Sequence, residues 1–221
     1  MAGTPPLDTS QKDLWDEIAF EKDFHDTFYL AHFAPLVKSG ESIIDFGCGY
    51  GRVLQYLFEA GYSNLRGYDF SPEMIKRGKV LYPHLKLKLL ENDALSIPVD
   101  DTSVDAVILS TVLCCIPDIT HQKKLISEIG RVLRPGGALY ISDFLISTDK
   151  KVLNKYEGGY EKFSEYGVYQ TSDGMIVRHH ESSYIRALTE NFLELWWYEE
   201  ASETMNGNPV HAFHSLFQKI S

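Results

Sequence analysis

The chain has 221 residues, is 44% hydrophobic and carries a formal net charge of -10. That length buries one core with room for a small elaboration but not for two full domains. The acidic balance, with no dense basic block, weighs against a nucleic-acid partner, whose binding draws on clustered Lys and Arg. No run approaches the ~20 apolar residues of a membrane span, and the opening residues lack the apolar core of a signal peptide. A soluble, cytoplasmic chain with no membrane partner is therefore expected. Cys48, Cys114 and Cys115 suggest no disulfide framework. With no second pair nearby no metal is expected, and the adjacent Cys114 and Cys115 read as two small buried hydrophobes.

Residues 1–10 read as a disordered tail and residues 11–221 as a single domain. From Lys12 to Leu36 the pattern is helical and aromatic, with Trp15, Phe20, Phe24, Phe28, Tyr29 and Phe33, which predicts a helical cap over residues 11–39. Ser42 to Phe46 reads as a buried strand. Val53, Tyr56, Leu57 and Ala60 keep helical spacing up to Gly61. Leu65 to Tyr68 is the next strand, and Ser71 with Pro72 suits an N-cap and first helical position. In "LKLKLL", Leu85 to Leu90, the lysines fall on one face, as befits a sheet edge. "VDAVILS", Val104 to Ser110, is apolar almost throughout, as a central parallel strand must be.

A helix through Leu125, Ile129, Val132 and Leu133 ends at "RPGG", and "GALYISDF" is a fifth strand. Four successive crossovers predict an α/β, doubly wound parallel sheet with helices on both faces. "FLELWWYEE" and "VHAFHSLFQ" are further strands joined through Asn206 and Gly207, which favour a tight reversal, so the last strand is expected to run antiparallel.

Ligands of such sheets bind beyond the carboxyl ends of the strands, where Gly47, Gly49 and Gly51 form the first turn. A dinucleotide fingerprint would rest pyrophosphate here. Asp45 instead sets a carboxylate two residues before the first glycine, which is unfavourable for phosphate and suited to an ammonium group. Asp69 ends the second strand, where an acid can accept from ribose hydroxyls. Asn92 and Asp93 follow the third strand, where an acid can accept from an adenine amino group. Ribose, adenine and an amino-acid cation without phosphate describe S-adenosylmethionine.

At these residues the sequence resembles the class I S-adenosylmethionine-dependent methyltransferases. "IIDFGCGYGR" is similar to their first motif, "GYDFSPEMI" to their ribose-binding acidic motif and "NDALSIP" to their adenine-contacting loop. "VDAVILSTVL" and "VLRPGGALYISDF" are similar to their central strands. The resemblance implies a Rossmann-like seven-stranded sheet of order 3-2-1-4-5-7-6. It implies that Asp45, Gly47, Cys48, Gly49 and Gly51 hold the methionine end with Ser110 beneath it, Asp69 the ribose, Phe70 an adenine face, and Asn92, Asp93 and Ala94 the adenine edge.

The residues Ser110 to Leu113 stand where amino-group methyltransferases of this fold often carry an Asn/Asp-Pro-Pro-Tyr/Phe sequence. With the acidic charge, this points to a small-molecule acceptor, methylated on oxygen, nitrogen or sulfur. Its wall is expected from the aromatic N-terminal segment and from a lid over residues 145–180, with Tyr166 and Tyr169 among the candidate contacts and Asn206 at the reversal. His179, His180 and His211 are the candidate general bases, since imidazole titrates near neutrality. A non-catalytic partner or activator of this fold, and a nucleotide-dependent oxidoreductase, stay open as alternatives.

Overall fold

Two strands that are apolar on both faces lie side by side at the centre. β1 (Ile43–Phe46) pairs in parallel with β4 (Val104–Ser110) and, on its other side, with β2 (Leu65–Asp69). The computed structural model describes residues 10–90 and 95–220. Beyond β2 lies β3 (Lys86–Leu89), whose Lys86 and Lys88 are exposed while Leu87 is buried, as a sheet edge requires.

Past β4 come β5 (Leu133–Leu145), β9 (Pro209–Lys219) and β8 (Phe192–Glu203), giving the order β3-β2-β1-β4-β5-β9-β8. β9 runs antiparallel to both neighbours. β6 (Val168–Gln170) and β7 (Ile176–Arg178) form a separate hairpin. Counted within the large sheet alone, the order is therefore the expected 3-2-1-4-5-7-6.

Alternation along the central strands divides the core. Ile44, Val107, Leu139 and Ile141 face α5 (Ile119–Val132) and α7 (Ser182–Leu188). Ile43, Ile108 and Tyr140 face α3 (Arg52–Glu59) and the N-terminal segment. The predicted cap forms: Ser71 Oγ accepts from Met74 N ahead of α4 (Pro72–Leu81); in addition, Asp118 caps α5 by accepting from Thr120 N and His121 N.

Two expectations need correction. β5 begins at Leu133 and not after the glycines of "RPGG", because Leu133 already pairs with Val104 and a register shift before Ala106 absorbs the extra residues. The helix expected over Lys12–Leu36 is broken: α1 is Ser10–Ile18, α2 is Leu30–Phe33, and the chain between turns at residues 19–21 and then runs on without helical structure. From Glu21 to Phe28 burial alternates, with Lys22, Phe24, Asp26 and Phe28 inward and Asp23, His25 and Thr27 exposed. Arg77 takes the place of helical hydrogen bonds at the break by donating to the carbonyls of Ala19 and Lys22. After β5, α6 (Lys150–Phe163) and the β6–β7 hairpin fill the region expected as a lid, and the chain rejoins the sheet where His180 bridges Leu145.

Gly78 in α4 packs its bare Cα against the turn after β1. A Cβ there would lie 2.6 Å from Tyr50 O and collide with Leu87 as well. Replacing a helical glycine by alanine ordinarily gains about 1 kcal/mol, whereas overpacking against fixed backbone costs about 1–3 kcal/mol or more. Gly78→Ala is therefore expected to destabilise the protein, read as a lowered urea midpoint; a raised midpoint would show that the close approach is not rigid.

Candidate active site

The turn after β1 is held by backbone hydrogen bonds to β2 and within itself. Gly47 N and Cys48 N donate to Tyr68 O at 2.8 and 3.0 Å, and Gly51 N donates to Cys48 O at 2.9 Å. Gly47 and Gly49 adopt φ of +70 and +52, the left-handed region that glycine enters without penalty. Asp69 braces this turn from β2: its carboxylate accepts from Gly49 N at 2.8 Å and from Ser71 N at 2.9 Å. Burial raises Asp69 to about 6, and these backbone donors pull against the rise.

Asp45 is 2% exposed, and no described residue hydrogen-bonds its carboxylate. Burial pushes it up to about 8, against the attraction of Arg52 and with the repulsion of Asp69. Arg52 itself sits 3.9 Å from Asp26. Asp45, Gly47, Cys48, Gly49, Asp69, Phe70 and Ser110 all line one narrow hollow of about 90 Å³. Through Gly47, Asp69, Phe70, Val112 and Cys115 this hollow continues into a wider cleft of about 550 Å³ floored by Leu90, Leu95 and Ile116. The cofactor candidates are thus brought together, except Gly51, whose backbone starts α3 beside them, and Asn92, Asp93 and Ala94, which lie outside the described residues.

On the far side of Thr111 and Cys115 lies a separate cavity of about 180 Å³. Trp15, Phe24 and Asp26 border both it and the hollow, so the N-terminal segment roofs the two together. Phe24 stacks on Tyr50 at 5.2 Å and meets Trp15 edge-on at 6.1 Å. Phe144, Val152, Met175, Val177 and Val210 give this cavity apolar walls. Thr111 stands between the compartments at φ 55, an unusual conformation for a β-branched residue.

Among the histidine candidates, only His179 reaches this cavity. Its Nδ1 lies 2.7 Å from Tyr156 Oη and its Nε2 3.2 Å from Tyr169 Oη, and burial lowers it to about 4, so the ring is neutral at pH 7. His180 turns the other way into the core. Its Nε2 lies 3.0 Å from the Gln122 amide nitrogen and its Nδ1 3.3 Å from Phe144 O, with burial lowering it to about 3. His211, on β9, faces away from the neighbouring Val210 and pairs with Glu199 at 3.2 Å.

Tyr169 lines the cavity, whereas Tyr166 is 49% exposed and packs its ring 5.4 Å from Tyr156. Asn206 sits at the rim, accepting from Lys22 Nζ and donating to Asp173. Sequence reasoning missed Asp26, whose signal was its place between Phe24 and Phe28 in a period-two run. It missed Cys115 as well: Cys114 is buried as expected, but Cys115 is only half-buried and borders all three spaces. Asp143 was also missed; it is buried beneath the turn after β4, accepts from Cys114 N and Phe144 N, and is raised to about 7 by burial.

A seven-stranded sheet of this order, with a glycine turn and two strand-end acids around one crevice, is the architecture of the class I, S-adenosylmethionine-dependent methyltransferases, and the chain has that fold. Residues 44–141 match the family described as a methyltransferase domain. The phthiotriol/phenolphthiotriol dimycocerosates methyltransferase of Mycobacterium leprae is 34% identical over 106 residues, covering 48% of this chain and 38% of that protein. The demethylmenaquinone methyltransferase of Bacillus cereus is 26% identical over 188 residues, covering 83% of this chain and 70% of that protein. A SAM-dependent methyltransferase of Methanosarcina mazei superposes with a TM-score of 0.81 at 24% identity, covering 89% of this chain and 99% of that one. Several curated relatives are matched over about half their length or less, with 38%, 40% and 50% covered.

The buried acids and histidines give the ligand-free protein a defined pH response. Between about pH 4 and 6.5 they oppose one another: Asp45, Asp69 and Asp143 hold protons that the unfolded chain has lost, whereas His179, His180 and His214 lack protons that it holds. Above pH 6.5 the histidine contribution fades, and it is nearly gone by about pH 7.5. Asp45, raised to about 8, and Asp143, raised to about 7, still bind more proton in the fold, so stability is expected to fall from pH 6.5 to 8. The slope is at most about 1.4 kcal/mol per pH unit per group. Urea unfolding at the two pH values checks this, with Asp45→Asn flattening most of the decline; a stability that rises over that interval contradicts the environment described for Asp45.

Proposed function

We propose that this chain transfers a methyl group from S-adenosylmethionine to an oxygen, nitrogen or sulfur atom of a small molecule held in the cavity beyond Thr111. The observation that carries the reading is Asp45, a buried carboxylate with no hydrogen-bond partner among the described residues, lining a crevice with glycine backbone. Such a group is costly unless a cation meets it, and an amino-acid ammonium supplies one. The residues present fit the cofactor: Asp45 and the backbone of Gly47, Cys48, Gly49 and Gly51 for the methionine end, Ser110 beneath it, Asp69 for the ribose and Phe70 for the base. Asn92, Asp93 and Ala94 are assigned to the adenine edge on the sequence motif alone. When bound, the cofactor supplies an electrophilic methyl on a sulfonium.

The chain's own part is to align the acceptor and exclude water. Trp15 and Phe24 roof both compartments, and Thr111 and Cys115 form the partition across which the reacting atoms meet. Tyr169 and His179 are the polar pair available to an acceptor's hydroxyl, amine or thiol hydrogen, and Asn206 lies at the rim. The names of the relatives, methyltransferases of demethylmenaquinone and of a dimycocerosate lipid, support a small-molecule acceptor.

Calorimetry with S-adenosylhomocysteine tests the reading. Binding is expected for the native chain. Because the ammonium requires ionised Asp45, affinity should rise by up to about tenfold per pH unit from pH 6 to 7.5, with proton release seen as a buffer-dependent enthalpy. Asp45→Asn should bind at least tenfold more weakly and lose that pH dependence. Unchanged, pH-independent affinity in the variant, or quenching by NADH in place of S-adenosylhomocysteine, overturns the assignment.

A further inference from the structure

The adjacent cysteines do not diverge as neighbours on a strand would. In the short 3₁₀ turn Leu113–Cys115 their sulfurs converge: Sγ to Sγ is 3.6 Å, and both thiols point at one acceptor, Thr111 O, at 3.4 and 3.5 Å. Cys115 borders the hollow, the cleft and the cavity, and Cys114 borders the cavity, so the pair is reached from solvent-connected space. The third cysteine takes no part, since Cys48 Sγ is packed on Gly67, 2.7 Å from where a Cβ on that glycine would stand.

Two preset sulfurs on one side of a turn are a chelating dithiol, and their protonation selects the guest. The hydrogen bond with Cys115, then burial and the neighbouring Asp143, push the Cys114 thiol well above its ordinary value. A zinc ion seeks ionised thiolates and usually four ligands, and among the described residues no group of three metal-ligating side chains gathers. A trivalent arsenic oxyacid has the opposite requirement, because it condenses with neutral thiols. In that step two S–H and two As–O bonds break, two As–S bonds form, and two molecules of water leave with both protons. Nothing is oxidised or reduced.

We propose that Cys114 and Cys115 form a binding site for a trivalent arsenical, held by both sulfurs at the junction of the crevice and the cavity. The site is independent of the methyl-transfer reading, since it needs neither cofactor nor acceptor.

Phenylarsine oxide is the probe; being the anhydride form, it loses one water on binding two thiols. One equivalent added to the reduced native chain should give a single adduct in the intact mass. It should remove two of the three thiols from titration by a disulfide reagent, survive excess 2-mercaptoethanol and be stripped by 2,3-dimercaptopropanol. Cys115→Ser, at the half-buried position, should leave an adduct that monothiol removes, as should Cys114→Ser where it folds; Cys48→Ala should keep the resistant adduct. Failure of the native chain to react, removal by monothiol, or a resistant adduct in Cys115→Ser overturns the proposal.

Discussion

One buried carboxylate ties the crevice together. Asp69 spends one oxygen on Gly49 N and the other on Ser71 N, so the turn after β1 and the turn after β2 cannot move apart without exposing an unpaired acceptor. A lost partner for a buried charged group costs several times what an ordinary hydrogen bond contributes. The tie extends outward: Ser71 caps α4 and donates to Asp16 of α1, which also accepts from Glu73 N. The N-terminal helix is thereby hung on the same bracket that shapes the glycine turn.

From that bracket the chain crosses the mouth in extended form, and geometry explains why. A strand advances about 3.3 Å per residue against about 1.5 Å in a helix, so a short segment reaches from α4 across the crevice to the far side of the sheet. Its anchors are aromatic and polar in turn. Tyr50 receives Phe24 at 5.2 Å, Arg77 at 4.0 Å, and a hydrogen bond from Phe24 N at its hydroxyl. At the other end Tyr29 N donates to Tyr140 Oη, while the Tyr29 hydroxyl and His214 Nε2 both reach the Glu200 carboxylate. A network with every member partnered fixes one position for the roof and leaves few alternatives.

The sheet was legible because its physics is local. The two-sided apolar character of Ile43–Phe46 and Val104–Ser110, the one-sided lysines of Lys86 and Lys88, and the Asn206–Gly207 reversal each determine a place in the order. The roof was not legible, because Phe20, Phe24 and Phe28 at intervals of four satisfy a helical and an extended period equally; only Phe20, 57% exposed, betrays that the helix has ended. The histidine pair failed for the opposite reason. Consecutive residues on extended backbone face opposite ways, so His179 entered the cavity and His180 the core, and nothing in "RHHE" says which. Asp45 and Asp69 were legible as a pair, but not their division of labour: one is braced by backbone donors, the other has no hydrogen-bond partner among the described residues.

For the proposed methyl transfer, that division bears on where the rate comes from. At neutral pH the described residues of the cavity offer no strong base: His179 is neutral between two tyrosines, Tyr169 is raised to about 12 by burial, and Asp26 faces Arg52. A general base would supply about 3–5 kcal/mol, whereas alignment of two bound partners supplies ~7–11 kcal/mol. A site that leaves out the smaller contribution must hold the larger one accurately, and the partition between its compartments is rigid in the required place. Thr111 N donates to Ser142 O at 2.7 Å and its hydroxyl to Ser110 O at 2.7 Å, holding a β-branched residue at φ 55. Strain of that kind costs about 1–3 kcal/mol, well below what alignment returns, so the conformation persists because the strands on either side leave Thr111 no other.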